Sequence, residues 1–76
     1  MKIKYDKKAD AIYITFNSLP YSYGKDLDEE RHIDYDDNDK PIGIELTCVS
    51  DGVFTDELPY RAEVERLLGD KGISIY

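Results

Sequence analysis

Arg31-His32-Ile33-Asp34-Tyr35-Asp36-Asp37-Asn38-Asp39-Lys40-Pro41-Ile42-Gly43-Ile44-Glu45-Leu46-Thr47-Cys48-Val49 alternates in polarity on both sides of an acidic stretch. Ile33 and Tyr35 share one side of the first half, with His32 and Asp34 on the other. In the second half Ile42, Ile44, Leu46 and Cys48 share a side. A period of two marks a half-buried strand in each half. Asp36 to Lys40 is turn chemistry, because Asn and Asp tolerate left-handed backbone and bond their own amides. The stretch therefore predicts an antiparallel hairpin with one apolar face. It places Cys48 in the core and Asp34 and Asp36 outward. Gly43, on the opposite face, signals a bulge or a close backbone approach.

Outward from this hairpin the same period recurs. Ile3 and Tyr5 alternate with Lys2 and Lys4, and Asp6-Lys7-Lys8-Ala9-Asp10 is polar and turn-like. In Ala11-Ile12-Tyr13-Ile14-Thr15-Phe16, Ile12, Ile14 and Phe16 take one face and Tyr13 and Thr15 the other. Asn17 to Glu30 is the least regular part, and a short edge strand is expected within Tyr21 to Leu27. On the other side Ser50-Asp51-Gly52 reads as a turn, and Pro59 takes the first position of a helix. Tyr60, Val64, Leu67 and Leu68 form its apolar stripe, with Arg61, Glu63, Glu65 and Arg66 toward solvent. Gly69 or Gly72 supplies the C-cap. Ile73 and Ile75 alternate with Ser74 and Tyr76, as in one more short strand.

These elements predict an α+β fold: a small antiparallel sheet of three to five hairpin-connected strands with one C-terminal helix packed on one face. The 76 residues make a single domain. Residues 1–50 are expected as a β-meander and residues 51–76 as a helical extension. Seventeen acidic residues against ten basic ones give a net charge of −7. That argues against direct nucleic-acid binding and for a basic partner. No apolar run reaches the roughly 20 residues of a membrane helix, and the start lacks the apolar core of a signal peptide. One cysteine, Cys48, excludes an internal disulfide and suits a cytoplasmic setting.

The opening Tyr5-Asp6-Lys7-Lys8-Ala9-Asp10-Ala11-Ile12-Tyr13, then Ile33-Asp34-Tyr35-Asp36 and Ile42-Gly43-Ile44-Glu45, resembles the bacterial family called domain of unknown function 2283. The resemblance covers about residues 1–50. Family members often carry Ala-Ser where this chain has Val49-Ser50. The resemblance implies the sheet and no activity. Some members look like the antitoxin halves of toxin–antitoxin gene pairs.

Chemical candidates are few. Asp34, Asp36, Asn38 and Glu45 match the first, third, fifth and twelfth positions of a calcium loop. Asp39 stands where that loop needs glycine, and the flanks read as strands rather than helices. A charged turn that keeps a hairpin soluble is the simpler account, so no metal or cofactor is expected. Asp6 and Asp10 could pair as acid and base, but a turn uses such residues anyway. His32, outward on its strand, and Cys48, inward on another, do not form a catalytic pair. The tyrosines exceed what a core of this size needs. With only one helix to cover two sheet faces, either loops fold over the second face or Tyr13 with Tyr21 or Tyr23 forms a patch for a partner.

The expectation is a protein-binding module rather than an enzyme. Its partner is a basic protein met by Tyr13, Tyr21, Tyr23, Asp26, Asp28, Glu29 and Glu30, and an antitoxin is the concrete form. The alternatives are a nucleic-acid mimic that fills a basic channel, a small metal-binding or acid–base enzyme, and a homodimer made by pairing sheet edges.

Overall fold

The computed structural model describes residues 1–76. The strands are β1 (Lys2–Asp6), β2 (Ala11–Thr15), β3 (Tyr23–Asp26), β4 (Arg31–Tyr35) and β5 (Pro41–Thr47), followed by a 3-10 turn at Val49–Asp51 and one helix, α1 (Arg61–Asp70). All neighbouring strands run antiparallel, in the order β1-β2-β5-β4-β3. The architecture is thus a five-stranded antiparallel sheet with a C-terminal helix packed on it.

The strand order corrects the expected meander. β5 lies between β2 and β4, so the chain leaving β2 crosses the end of the sheet to reach β3. Phe16 N–H bonds to the Ile42 carbonyl (2.8 Å) and Ser22 N–H to the Tyr35 carbonyl (2.8 Å), which fastens this crossing to the β4–β5 hairpin. The reason lies in the composition of β5. It is the longest strand, and Ile42, Gly43, Ile44 and Leu46 are all buried. Such a strand needs ladder partners on both sides, whereas charge suits an edge. The edges are β1, with Lys2 and Lys4, and β3, with Lys25 and Asp26.

One face of the sheet meets the rest of the chain. Ile12, Ile14, Ile33, Ile44 and Leu46 pack with Val49, Val53, Leu58, Val64, Leu68 and Ile73 in one cluster. Burying each such side chain is worth about 1.5–3 kcal/mol. Val64 and Leu68 are the helix residues that reach the core, with Leu67 partly buried beside them. Tyr60 leaves the expected stripe: it is exposed and packs edge-on against Phe16, ring centroids 4.8 Å apart.

Three further expectations are corrected by the backbone. Cys48 adopts left-handed φ (54°) directly after β5, which ends the alternation and turns its thiol outward; Val49 takes the core position instead. The Glu30 carboxylate beside it, with burial adding less, pushes that thiol up. The helix starts at Arg61, because Tyr60 is also left-handed (φ 53°); Pro59 therefore precedes the cap rather than opening the helix. The tail forms no strand beyond a single parallel bridge between Val53 and Ile75. Gly72 (φ 76°) is the glycine that ends α1, with its N–H bonded to the Gly69 carbonyl and that of Ile73 to the Leu68 carbonyl. This is the paired arrangement that satisfies the last carbonyls of a helix, with Ile73 buried next to Leu68.

Candidate functional site: the open face of the sheet

The face opposite the helix is built by the other half of each alternation. The register aligns Lys4, Tyr13, Glu45, His32 and Asp26 in one row across all five strands. The adjacent row is Lys2, Thr15, Gly43, Asp34 and Gly24. The two glycines make this surface what it is. A methyl group on Gly43 would overlap the Tyr13 ring, and one on Gly24 would overlap the His32 ring. Each ring therefore lies across its neighbouring strand, over a residue without a side chain.

Lying flat, the rings bring their polar atoms to one carboxylate. Tyr13 Oη donates to Asp34 Oδ2 at 2.6 Å, passing over β5 to reach β4. His32 Nε2 is 3.0 Å from Asp34 Oδ1, and His32 Nδ1 is 2.6 Å from Asp26 Oδ1. Both ring nitrogens thus face carboxylate oxygens. A neutral imidazole has one N–H and can serve only one of them; the imidazolium serves both. The Asp26 bond, and then Asp34, hold the His32 pKa above its ordinary value, with burial opposing. Burial first, and the Asp34 bond second, push the Tyr13 hydroxyl far up, so it remains a donor. The result is a continuous chain, Tyr13–Asp34–His32–Asp26, spanning β2 to β3.

The calcium-loop residues do not converge. Asp34 gives its oxygens to Tyr13 and His32. Asp36 is not outward, as the alternation suggested, but buried. Its Oδ1 accepts the N–H groups of Asn38 (2.9 Å) and Lys40 (2.8 Å) and so caps its own turn. Glu45 lies on the open face between Tyr13 and His32 in register. No group of three or more His, Cys, Asp or Glu side chains is placed to hold a metal ion.

Asp6 and Asp10 take separate structural parts. Asp6 Oδ1 accepts the N–H groups of Lys8 and Ala9, closing the first turn. Asp10, left-handed at φ 54°, accepts the Ser50 N–H (3.0 Å) and hydroxyl (2.6 Å). It ties the first hairpin to the end of β5.

The predicted partner residues divide. Tyr21 is exposed in the crossing segment, near enough to add to the upward push on Tyr13. Tyr23 lies on the helix side of the sheet. It stacks on Tyr35 at 5.1 Å and donates to Asp39 Oδ1, a bond that pushes its pKa up to about 12. Asp26 is the outer end of the His32 chain. Asp28 accepts the Glu30 N–H and the Arg31 guanidinium, which hold its pKa below the usual carboxylate range. Glu29 and Glu30 are exposed in the turn before β4.

Arg31 was not singled out by its sequence position. Its Nε bonds Asp28 (2.9 Å), and one terminal nitrogen donates to the Phe54 (3.1 Å) and Asp56 (2.6 Å) carbonyls. It clamps residues 54–56 onto β4. Thr55 beside it is fully buried, donates to Glu65 and accepts from Arg61, locking the same loop to α1. The His32 pair had a signal in the sequence. His32 and Asp34, two residues apart on one strand, must share a face.

An antiparallel sheet with one helix on its apolar side and a bonded polar network on its bare side defines a small α+β domain with an open sheet face. The chain belongs to the family described as protein of unknown function (DUF2283), whose model matches residues 2–50. No curated protein and no solved structure matches the chain. The matched stretch ends at Ser50, where Asp10 closes the sheet.

Proposed function

We propose that this domain is a small protein-binding module that docks a basic protein on the open face of its sheet. In its concrete form it is the cytoplasmic antitoxin of a basic toxin encoded beside it. The observation that supports this reading is the bare face itself. One helix covers one side of a five-stranded sheet, and the other side presents Tyr13 and His32 laid flat and already bonded. Such a surface needs little ordering on binding, and ordering is a main cost of association. The net charge of −7 steers a basic partner toward it. Asp26 and the exposed turn through Glu30 lie at its rim.

The nucleic-acid mimic needs carboxylates in a phosphate-like row. Here they gather at turns on opposite ends of the sheet: Asp6, Asp10 and residues 26–30 at one end, Asp36, Asp37 and Asp39 at the other. The rival from another class, an acid–base enzyme, draws on the bracketing of His32 by two aspartates. It expects a hollow against His32, whereas neither of the two principal hollows is lined by Tyr13, His32 or Asp34.

Affinity capture of the tagged domain from its host should return one basic protein, and co-expression should relieve that protein's toxicity. No captured protein, together with a neighbouring gene that is harmless on its own, would overturn the reading. Sedimentation of the isolated domain as a dimer that blocks capture would favour edge-paired self-association instead.

A further inference from the structure

We infer that the hollow between the acidic turn and the C-terminal extension is a socket for one arginine side chain of the protein partner. The inference rests on the module reading above and adds to it a second contact, away from the open face. The hollow measures about 310 Å³, the small end of ligand-sized sites, and suits one long side chain better than a substrate. Its walls come from both parts of the chain. Arg31 and Thr47 belong to the sheet and Glu30 to the turn before β4, while Asp51, Phe54 and Tyr76 belong to the extension beyond the family match.

Two features of the lining point to a guanidinium. Phe54 and Tyr76 are 57% and 64% exposed, and their rings stand 5.0 Å apart at 34°. Both are held in place. Tyr76 lies over Gly52, where a Cβ would overlap it, and its hydroxyl donates to the Asp51 carbonyl at 2.5 Å. The Phe54 carbonyl is gripped by Arg31. The charges are the second feature. Arg31 is the only cation in the lining, and Asp28 already neutralises it at 2.9 Å. Glu30 and Asp51 remain: the Glu30 carboxylate takes a bond from the neutral Cys48 thiol, and no cationic side chain pairs with either. A rigid aromatic wall beside two uncompensated carboxylates complements a planar cation that stacks on rings and donates to carboxylates in pairs. Arginine fits that description better than lysine.

The test is an amide-resolved NMR titration with N-acetyl-arginine amide, and with N-acetyl-citrulline amide as a neutral probe of the same shape. Saturable shifts are expected at Thr47, Gly52, Val53 and Phe54 with the arginine probe, and binding about tenfold weaker or worse with citrulline. The pair Glu30→Gln and Asp51→Asn should weaken the arginine probe by a similar factor of about ten without moving the melting midpoint. Equal binding of both probes, linear unsaturable shifts, or shifts confined to the open face would overturn the socket. The two readings fail separately. A partner captured with no arginine binding leaves the module and removes the socket. Arginine binding with no partner captured keeps the socket and removes the proposed partner.

Discussion

On the helix side of the sheet, Ile12, Ile14, Ile33, Ile44 and Leu46 are almost wholly shielded from solvent; on the other side the same strands present Tyr13, His32, Asp34 and Glu45. The first face is held by burial, which has no direction and adds up with area. The second is held by a few bonds whose direction matters, each needing a flat ring, a bare glycine and a carboxylate in register. The apolar face should therefore carry the stability of the domain, and the polar face the shape of its surface. Side-chain changes on the two faces should separate these quantities.

The largest effect is expected from Ile44→Ala at the centre of the apolar face. Truncating a fully buried isoleucine costs about 2–5 kcal/mol, comparable with the roughly 3–5 kcal/mol available to a domain of this size. Equilibrium urea unfolding should show a largely unfolded protein, and a loss under about 1 kcal/mol would mean that the face is loosely packed.

Next is Gly43→Ala on the polar face. The added methyl group forces the Tyr13 ring aside at about 1–3 kcal/mol. In a Tyr13→Ala background the same change should cost much less, because the two sites touch. A double-mutant cycle with no coupling would break the claim that the glycine exists to seat the ring.

Tyr13→Phe keeps the ring and removes one bond to a carboxylate, for about 1 kcal/mol. The sharper readout is spectrophotometric titration, where the highest-titrating tyrosine should vanish. If it persists, the Tyr13–Asp34 bond does not hold in solution.

The smallest effect is a pH dependence at His32. Its pKa is raised in the folded state, so the imidazolium adds stability that is complete below the unfolded value of about 6.5 and is lost as pH rises through the folded pKa. His32→Gln should therefore cost more at about pH 5.5 than at about pH 8.5. A cost that is equal at both, or larger at the higher pH, would remove the two-carboxylate bracket.

Much of the fold was legible in the residues. The period-two pattern assigned the inward faces of β1, β2, β4 and most of β5, and the 3.6 period placed Val64 and Leu68 in the core. Two of the departures, at Cys48 and Tyr60, fall where the backbone turns left-handed. There a positive φ breaks a periodicity that the residue types alone continue, and neither is a glycine that would have marked the place. The site was legible in its pieces only. Tyr13 and Asp26 read as partner contacts, Asp34 as a calcium-loop position, His32 as an exposed residue, and Gly43 as a bulge or a close backbone approach, whereas what lies over it is the Tyr13 ring.

What the sequence determined by itself is local: strand phase, turn chemistry at Asp6 and Asp36, the acidic balance, and a glycine-ended helix. These depend on neighbours within a few residues. The tertiary structure decided that β5 lies between β2 and β4, and with it nearly everything about the open face. Only that order seats Tyr13 over Gly43 and within reach of Asp34, and only pairing of β3 with β4 seats His32 over Gly24. Such contacts join residues far apart in the chain, and no periodicity along one strand encodes which strand lies beside it.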